Sequence, residues 1–304
     1  MRAKCVLVCL SLVLCASVAH AADPIVPGPW KATADVGLNL NQASYNDAWT
    51  GGEESSVAWT FIGNLVAERQ FDPTINWRNS LRLAFGEIHR KKETAGGEKH
   101  WDSPEKSSDR IFFESLLRLT LGAFFDPYAS FTFESQFYDP TDPDITRYLN
   151  PMLFTESVGI GRIFIKNERT EFYSRLGAAI RQNVVQTVRH NEGDGEAEKE
   201  YDTAVDGGAE WVTDLAHAFS PQLKYNSRLR AFQAAFFSEA DDWEGTPQED
   251  YWKTPDFAWE NTISASVAKY VQVQLFAELL YDKQIDLRGR FREILGLGLT
   301  YKLF

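Results

Sequence analysis

The closing segment Phe291-Arg-Glu-Ile-Leu-Gly-Leu-Gly-Leu-Thr-Tyr-Lys-Leu-Phe304 decides how the chain is read. Successive side chains of a strand point to opposite faces, so Leu295, Leu297, Leu299, Tyr301 and Leu303 share one side. Gly296, Gly298, Thr300 and Lys302 share the other. One side is suited to lipid and the other to water. Phe304, the final aromatic, stands one residue past the in-phase Leu303.

The opposite end carries an export leader. Met1-Arg-Ala-Lys4 is basic, residues 5–18 are apolar, and Ala19-His20-Ala21 forms a small-residue cleavage site before Ala22. The apolar run is short for a membrane span, so a Sec-type signal peptide over residues 1–21 is expected, followed by one domain over 22–304. Cys15 follows Leu14 where a lipobox needs a small residue, which argues against lipidation. Cys5, Cys9 and Cys15 all lie in the leader, so disulfide and thiolate chemistry are not expected of the mature domain. The formal net charge is −12, and losing Arg2 and Lys4 makes the mature chain more acidic still, which disfavours nucleic acid as a partner. The mean hydropathy of −0.33 coexists with 13% aromatic residues, as expected of a barrel with one lipid face and one wet face.

Twelve alternating segments are expected as strands: 30–41, 56–70, 75–87, 110–123, 128–137, 154–165, 170–184, 202–214, 219–232, 257–269, 271–281 and 291–304. Tight connections at 71–74, 125–127, 166–169, 215–218 and 269–270 alternate with long polar ones at 43–55, 88–109, 138–153, 185–201, 237–256 and 282–290. The pattern predicts an all-β, transmembrane, antiparallel up-and-down β-barrel of about twelve strands. Short turns of such barrels face the periplasm, so both termini are expected there. A soluble lipocalin-like barrel would show the same alternation with its apolar face inward. Against it stand the closing strand, the size, and the rings near strand ends, among them Trp30, Trp59, Phe71, Trp77, Tyr128, Trp211, Phe219, Trp259 and Tyr270, which suit two interfacial girdles.

Several stretches carry a family resemblance: Leu40-Asn-Gln-Ala-Ser-Tyr45 followed by Trp49-Thr-Gly-Gly-Glu53, then Trp77-Arg-Asn-Ser-Leu-Arg-Leu-Ala-Phe-Gly86, Leu149-Asn-Pro-Met152, and the ending Phe291 to Tyr301. With these the chain resembles an uncharacterised family of exported bacterial proteins, a domain of unknown function, whose members are expected to be outer-membrane β-barrels. The resemblance implies fold and location and brings no activity, cofactor or catalytic residue. The closing strand likewise resembles the terminal signal of bacterial outer-membrane proteins. It implies the barrel-assembly machinery as a partner through the strand running from Phe291 to Phe304, with outer-membrane lipid and lipopolysaccharide around the barrel.

With the apolar faces turned to lipid, the lumen is expected to receive more basic than acidic side chains. Arg78, Arg82, Arg118, Glu134, Arg175, Arg181, Arg228, Arg230 and Glu260 are the candidates for selectivity, with Lys31, Asp35, Arg110, Glu114, Glu171, Lys224, Glu278, Arg292 and Lys302 beside them. Two arrangements are open: a salt-bridged network that fills a modest barrel, or a water-filled conduit whose arginines favour small anions. The first loop, with Trp49, Gly51, Gly52 and Glu53, either folds inward as a constriction or caps the rim. The acidic runs Asn191 to Asp202 and Glu239 to Glu244 lack EF-hand spacing and read as solvated loop, so no metal and no cofactor is expected. His89, His100, His190 and His217 share no spacing with a nucleophile, and no catalytic site is nominated, although lipase, protease or lipid A modifying chemistry is the enzyme class to weigh. A structural or adhesive barrel with Trp243, Tyr251 and Trp252 as outer contacts is the third class.

Overall fold

The computed structural model describes residues 26–45, 54–94, 98–142, 144–190 and 197–302. The expected leader, the first-loop residues Trp49, Gly51, Gly52 and Glu53, the first half of the first acidic run, and Phe304 lie outside them. Twelve long strands make up the fold: β1 Lys31–Ala43, β2 Ser56–Asp72, β3 Ile75–Glu93, β4 Glu105–Leu119, β5 Asp126–Ser135, β6 Met152–Lys166, β7 Thr170–His190, β8 Ala197–Ala218, β9 Leu223–Phe237, β10 Asp256–Ala268, β11 Val271–Tyr281 and β12 Arg290–Lys302. Every strand pairs antiparallel with its sequence neighbours. β12 returns to β1, with Val36 opposite Tyr301 and Asn39 opposite Gly298, so the barrel closes.

The side-chain period of two sorts the residues into an outer wall and a lumen. Outward positions include Leu38, Phe61, Leu65, Leu117, Val158, Ile160, Leu176 and Trp211, all exposed, and on the closing strand Leu295 is 70% exposed. Glu114, Arg118, Thr132, Thr155, Ser157, Arg175, Asp206, Glu210, Glu260 and Glu278 are buried inside. An apolar exterior around a charged interior reverses a soluble barrel, so the lipocalin-like alternative fails and the architecture is that of a transmembrane β-barrel. Three indoles of the outer wall are satisfied locally: Trp77 Nε1 donates to Ser115 Oγ at 2.8 Å, Trp211 to Ser174 at 2.8 Å and Trp259 to Ser227 at 3.0 Å. In hydrocarbon no water would accept those protons.

Short turns and long loops segregate to opposite ends, and the start of β1 and the end of β12 lie with the short turns. Three of these turns are closed by a side chain bonding its own backbone. Asp72 Oδ1 accepts from the N–H of Thr74 and Ile75, Asn167 Oδ1 from Arg169 and Thr170, and Ser220 Oγ from Gln222 and Leu223. The last of these moves an expected turn: 215–218 remains strand, because β8 stays paired with β7 through His217, and the chain reverses at 219–222. Similarly Asp126 and Pro127 belong to β5, and the turn before them spans 120–125.

Two long loops are shorter than expected. β7 continues to His190 and β8 begins at Ala197, since the β-branched run Val184, Val185, Thr187, Val188 pairs with 199–203 beyond the rim. The segment after β3 likewise stays paired, with Lys91–Glu93 against the short strand Lys99–Trp101. Between β5 and β6 a small ribbon joins Tyr138–Asp139 to Arg147–Tyr148. In the loop between β9 and β10, Trp243 and Trp252 pack on Phe237, with ring centroids 5.2 and 6.4 Å away, and Tyr251 lies under Lys283, all three half-buried.

At the seam, glycines make room for a side chain. A Cβ on Gly296 would come within 2.6 Å of Asn39 Nδ2, and one on Gly298 within 2.0 Å of Asn39 Oδ1 and 2.6 Å of the Leu38 carbonyl. The Gly-Leu-Gly of the closing strand therefore lets β1 and β12 meet around Asn39.

Candidate functional site

β4 runs through the centre of the lumen chemistry because its inward positions, two residues apart, are Arg110, Phe112, Glu114, Leu116 and Arg118. Glu114 faces arginines from across the barrel. Arg175 Nη2 on β7 donates to Glu114 Oε1 at 2.5 Å, while Arg228 on β9 donates to the same carboxylate through Nη2 at 2.6 Å and Nη1 at 3.0 Å. Arg228 also pairs with Asp214 at 3.3 Å. Arg110 reaches three carboxylates: Glu260 on β10 at 2.6 Å, Glu134 on β5 at 3.6 Å and Glu278 on β11 at 3.6 Å. Arg82 on β3 joins Glu260 at 2.8 Å, Arg230 joins Glu134 at 2.5 Å, and Arg292 joins Glu278 at 2.5 Å.

Phe112 links the two halves of this network. Its ring lies under the guanidinium carbons of Arg82, Arg110 and Arg228 at 4.1, 5.4 and 5.3 Å, and it is 1% exposed. Because Arg82 and Arg110 come from β3 and β4 and their partner Glu260 from β10, the ion pairs cross the lumen. Arg175 is 2% exposed, so side chains from both walls fill the barrel at this level. Desolvating so many charges costs free energy that well-packed apolar residues would not incur, and only close pairing offsets it.

Below the network, towards the short turns, Leu116, Tyr128 and Tyr173 form a buried cluster with Ile163 packed against it. Tyr128, expected in an outer girdle, is inside, where Gly159 and Gly177, its neighbours in register on β6 and β7, leave room for its ring. A Cβ on Gly177 would stand 2.5 Å from its hydroxyl, which bonds Ser157 Oγ at 2.9 Å. Tyr173 fits over Gly161 in the same way. Arg118 donates to Asn76 Oδ1 at 3.3 Å and lies over the Tyr173 ring. Arg78 and Glu171 sit 3.9 Å apart at the wet end, their side chains 42% and 38% exposed. Lys31 and Lys224 are exposed near that rim. At the long-loop end, Arg181 pairs with Asp206 through Nε at 2.8 Å and with Asp256 at 2.8 Å, over the Phe232 ring.

The expected excess of bases shrinks on inspection. Asp206, Glu210 and Asp214 on β8 and Glu68 on β2 also face inward, beyond the carboxylates expected there. Their signal was present: Asp202, Asp206, Glu210 and Asp214 recur every four residues, on the same side as Val212, which is wholly buried. Lys302 is paired through its backbone with Asp35.

The other expected groups are dispersed. His217 Nδ1 lies 2.8 Å from Thr170 Oγ1 at the short-turn end, whereas His89 and His100 belong to the long-loop extension of β3 and the strand paired with it. Asp109 is occupied in anchoring the loop after β5, accepting from the N–H of Phe137 and Tyr138 and from Lys106. Among the described residues no group of three or more His, Cys, Asp or Glu is placed to hold a metal ion.

Residues 40–140 match a family described as Protein of unknown function (DUF3078). The matched stretch runs from β1 through β5, so it contains the first-loop pattern and the 77–86 segment, and it stops before Leu149-Asn-Pro-Met152 and the closing strand. No curated protein matches the chain. Among solved structures, similar folds include an outer membrane channel from Pseudomonas putida F1, 14% identical, covering 94% of this chain and 99% of that one with a TM-score of 0.38. The NanC porin is 8% identical over 89% of this chain and 100% of its own, with a TM-score of 0.35. The translocator domain of the autotransporter NalP from Neisseria meningitidis is 8% identical over 89% and 86%, also at 0.35.

Proposed function

We propose that the protein is an integral outer-membrane barrel that acts as a narrow passive pore for small, preferentially anionic, solutes, with the cross-lumen ion pairs as its constriction. The observation that carries this reading is the chemistry of the barrier. The lumen is crossed by charged side chains on long, jointed stems, partly wet at Arg292, whose side chain is 42% exposed, and the wetter pair Arg78 and Glu171 lies toward the short turns. A barrier of paired charges can exchange partners with a passing ion, as charged rings in pores do. The ion-paired network holds six arginines, Arg82, Arg110, Arg175, Arg228, Arg230 and Arg292, against five carboxylates, Glu114, Glu134, Asp214, Glu260 and Glu278, and the buried Glu210 beside it brings the charges level. What supports a modest preference for anions is the guanidinium group itself, which offers several N–H donors to a passing anion.

The location in the outer membrane rests on the leader of residues 1–21 together with a closed barrel of apolar exterior, and the short turns then face the periplasm. Insertion by the barrel-assembly machinery through the closing strand follows from the same reading. A second reading, a permanently closed structural barrel, is favoured by the near-complete burial of Phe112 and Arg175. Swelling of vesicles containing the purified protein separates the two. The pore admits small anionic solutes faster than cationic ones of equal size, whereas swelling no faster than protein-free vesicles for every solute leaves the closed barrel.

A further inference from the structure

The outer wall of the barrel is not evenly covered. Between β6 and β7, near the short-turn end, it carries an apolar groove of about 310 Å³ whose walls are Phe125, Ile160, Phe164, Leu176 and Trp211. The small Ser174 leaves the space, and its hydroxyl is already engaged by the Trp211 indole and by Thr213 Oγ1 at 2.9 Å, so the floor offers no polar handle. The polar group is at one end. Arg162 lies along the groove, with its guanidinium carbon 3.6 Å from the Phe124 ring centroid and 5.6 Å from that of Phe164, and its Nη1 donates to the Phe124 carbonyl at 3.3 Å.

Arg162 differs from most arginines of the lumen. Arg82, Arg110, Arg175, Arg181, Arg228, Arg230 and Arg292 each have a carboxylate partner within 4 Å. Among the described residues, none is paired with Arg162. A guanidinium bent toward the edge of an apolar wall, framed by aromatic rings, is placed where lipid phosphates lie, and it retains donors for them.

We propose that this groove binds one anionic glycerophospholipid of the leaflet at the short-turn end, with an acyl chain along the apolar walls and the headgroup phosphate on Arg162. The site rests on the membrane reading of the barrel. Charge complementarity and apolar length together select a lipid over a free anion, because inorganic phosphate would leave the groove unfilled.

Trp211 lines the groove and reports on it. The full mature chain is reconstituted into phosphatidylcholine vesicles in which bromine-labelled phosphatidylglycerol replaces the host lipid stepwise, and the Trp211 signal is the difference between the wild type and Trp211→Phe. Quenching of that signal should show phosphatidylglycerol favoured about fivefold over phosphatidylcholine, the preference one cation near a membrane surface confers. Arg162→Gln should bring the ratio to about one, and Arg162→Lys should keep most of it. Millimolar inorganic phosphate should leave it unchanged. A ratio of one in the wild type, or an undiminished ratio in Arg162→Gln, overturns the site. Failure of the protein to enter the vesicles would instead defeat the membrane reading.

Discussion

Replacing Glu114 by Gln removes one charge and almost no volume, and it tests whether the lumen network is a dry, coupled unit. Glu114 accepts three hydrogen bonds from two arginines, at 2.5, 2.6 and 3.0 Å, and the side chains of Glu114, Arg175 and Arg228 are 9%, 1% and 13% exposed. Counting three charge-assisted bonds at face value would overstate the loss, because Arg228 keeps Asp214 as a partner. Breaking a buried pair and stranding its partner costs about 3–5 kcal/mol, whereas a solvated surface pair would cost less than about 1 kcal/mol. Urea unfolding in detergent micelles, followed by tryptophan fluorescence, should show the larger loss. Arg228→Gln combined with Glu114→Gln should destabilise by less than the two singles added, with a coupling of about 1–3 kcal/mol. A loss under about 1 kcal/mol for Glu114→Gln, or strict additivity, would refute the picture of a dry network.

Further outcomes follow from particular contacts. Gly298→Ala should destabilise the barrel by about 1–3 kcal/mol, because its Cβ would overlap the Leu38 carbonyl as well as Asn39, and Asn39→Ala in the same chain should relieve only part of the loss; a neutral Gly298→Ala would mean that the seam has room to spare. Gly37→Ala, where the nearest atom would be the Leu299 carbonyl at 3.6 Å, should be neutral in the same unfolding assay. Ser115→Ala should cost about 1 kcal/mol by leaving the Trp77 indole without an acceptor, an effect that disappears in a Trp77→Phe background. In the loop between β11 and β12, the Arg288 side chain bonds the Asp286 carboxyl and draws it down to about 2. Since the folded value lies below the unfolded one, this contribution to loop order is complete above about pH 4 and is lost as pH falls through about 2. NMR titration of Asp286 should move up toward the ordinary carboxylate value in Arg288→Ala, and an unmoved titration would assign the shift elsewhere.

The strands were legible because each obeys a period of two with an apolar face, and Leu295, Leu297 and Leu299 behave outwardly as that pattern requires. Alternation alone could not say which face met lipid. The closure of β1 on β12 decides it, with Leu38 opposite Leu299 on the outside and Asn39 opposite Gly298 within. Turn positions were less legible where side chains bond the backbone one turn later than composition suggests, as Ser220 does. Lumen membership of Arg82, Arg175, Arg228 and Glu260 could be read strand by strand. Their partners could not, since Arg82 and Glu260 are 178 positions apart and meet only through the barrel's curvature. Phe112 was hidden for a different reason: an apolar residue on the wet face looks out of place until three guanidinium groups are seen stacked around it.

Single-channel conductance in planar bilayers bears most directly on the pore. The wild-type barrel should give small, discrete steps with a slight anion preference. Arg82→Ala with Arg110→Ala should enlarge the steps and turn the preference toward cations, because Glu134, Glu260 and Glu278 are left without those arginines. Silence from both proteins, each shown to be folded and inserted, would contradict the pore and leave a closed barrel sealed by its ion pairs.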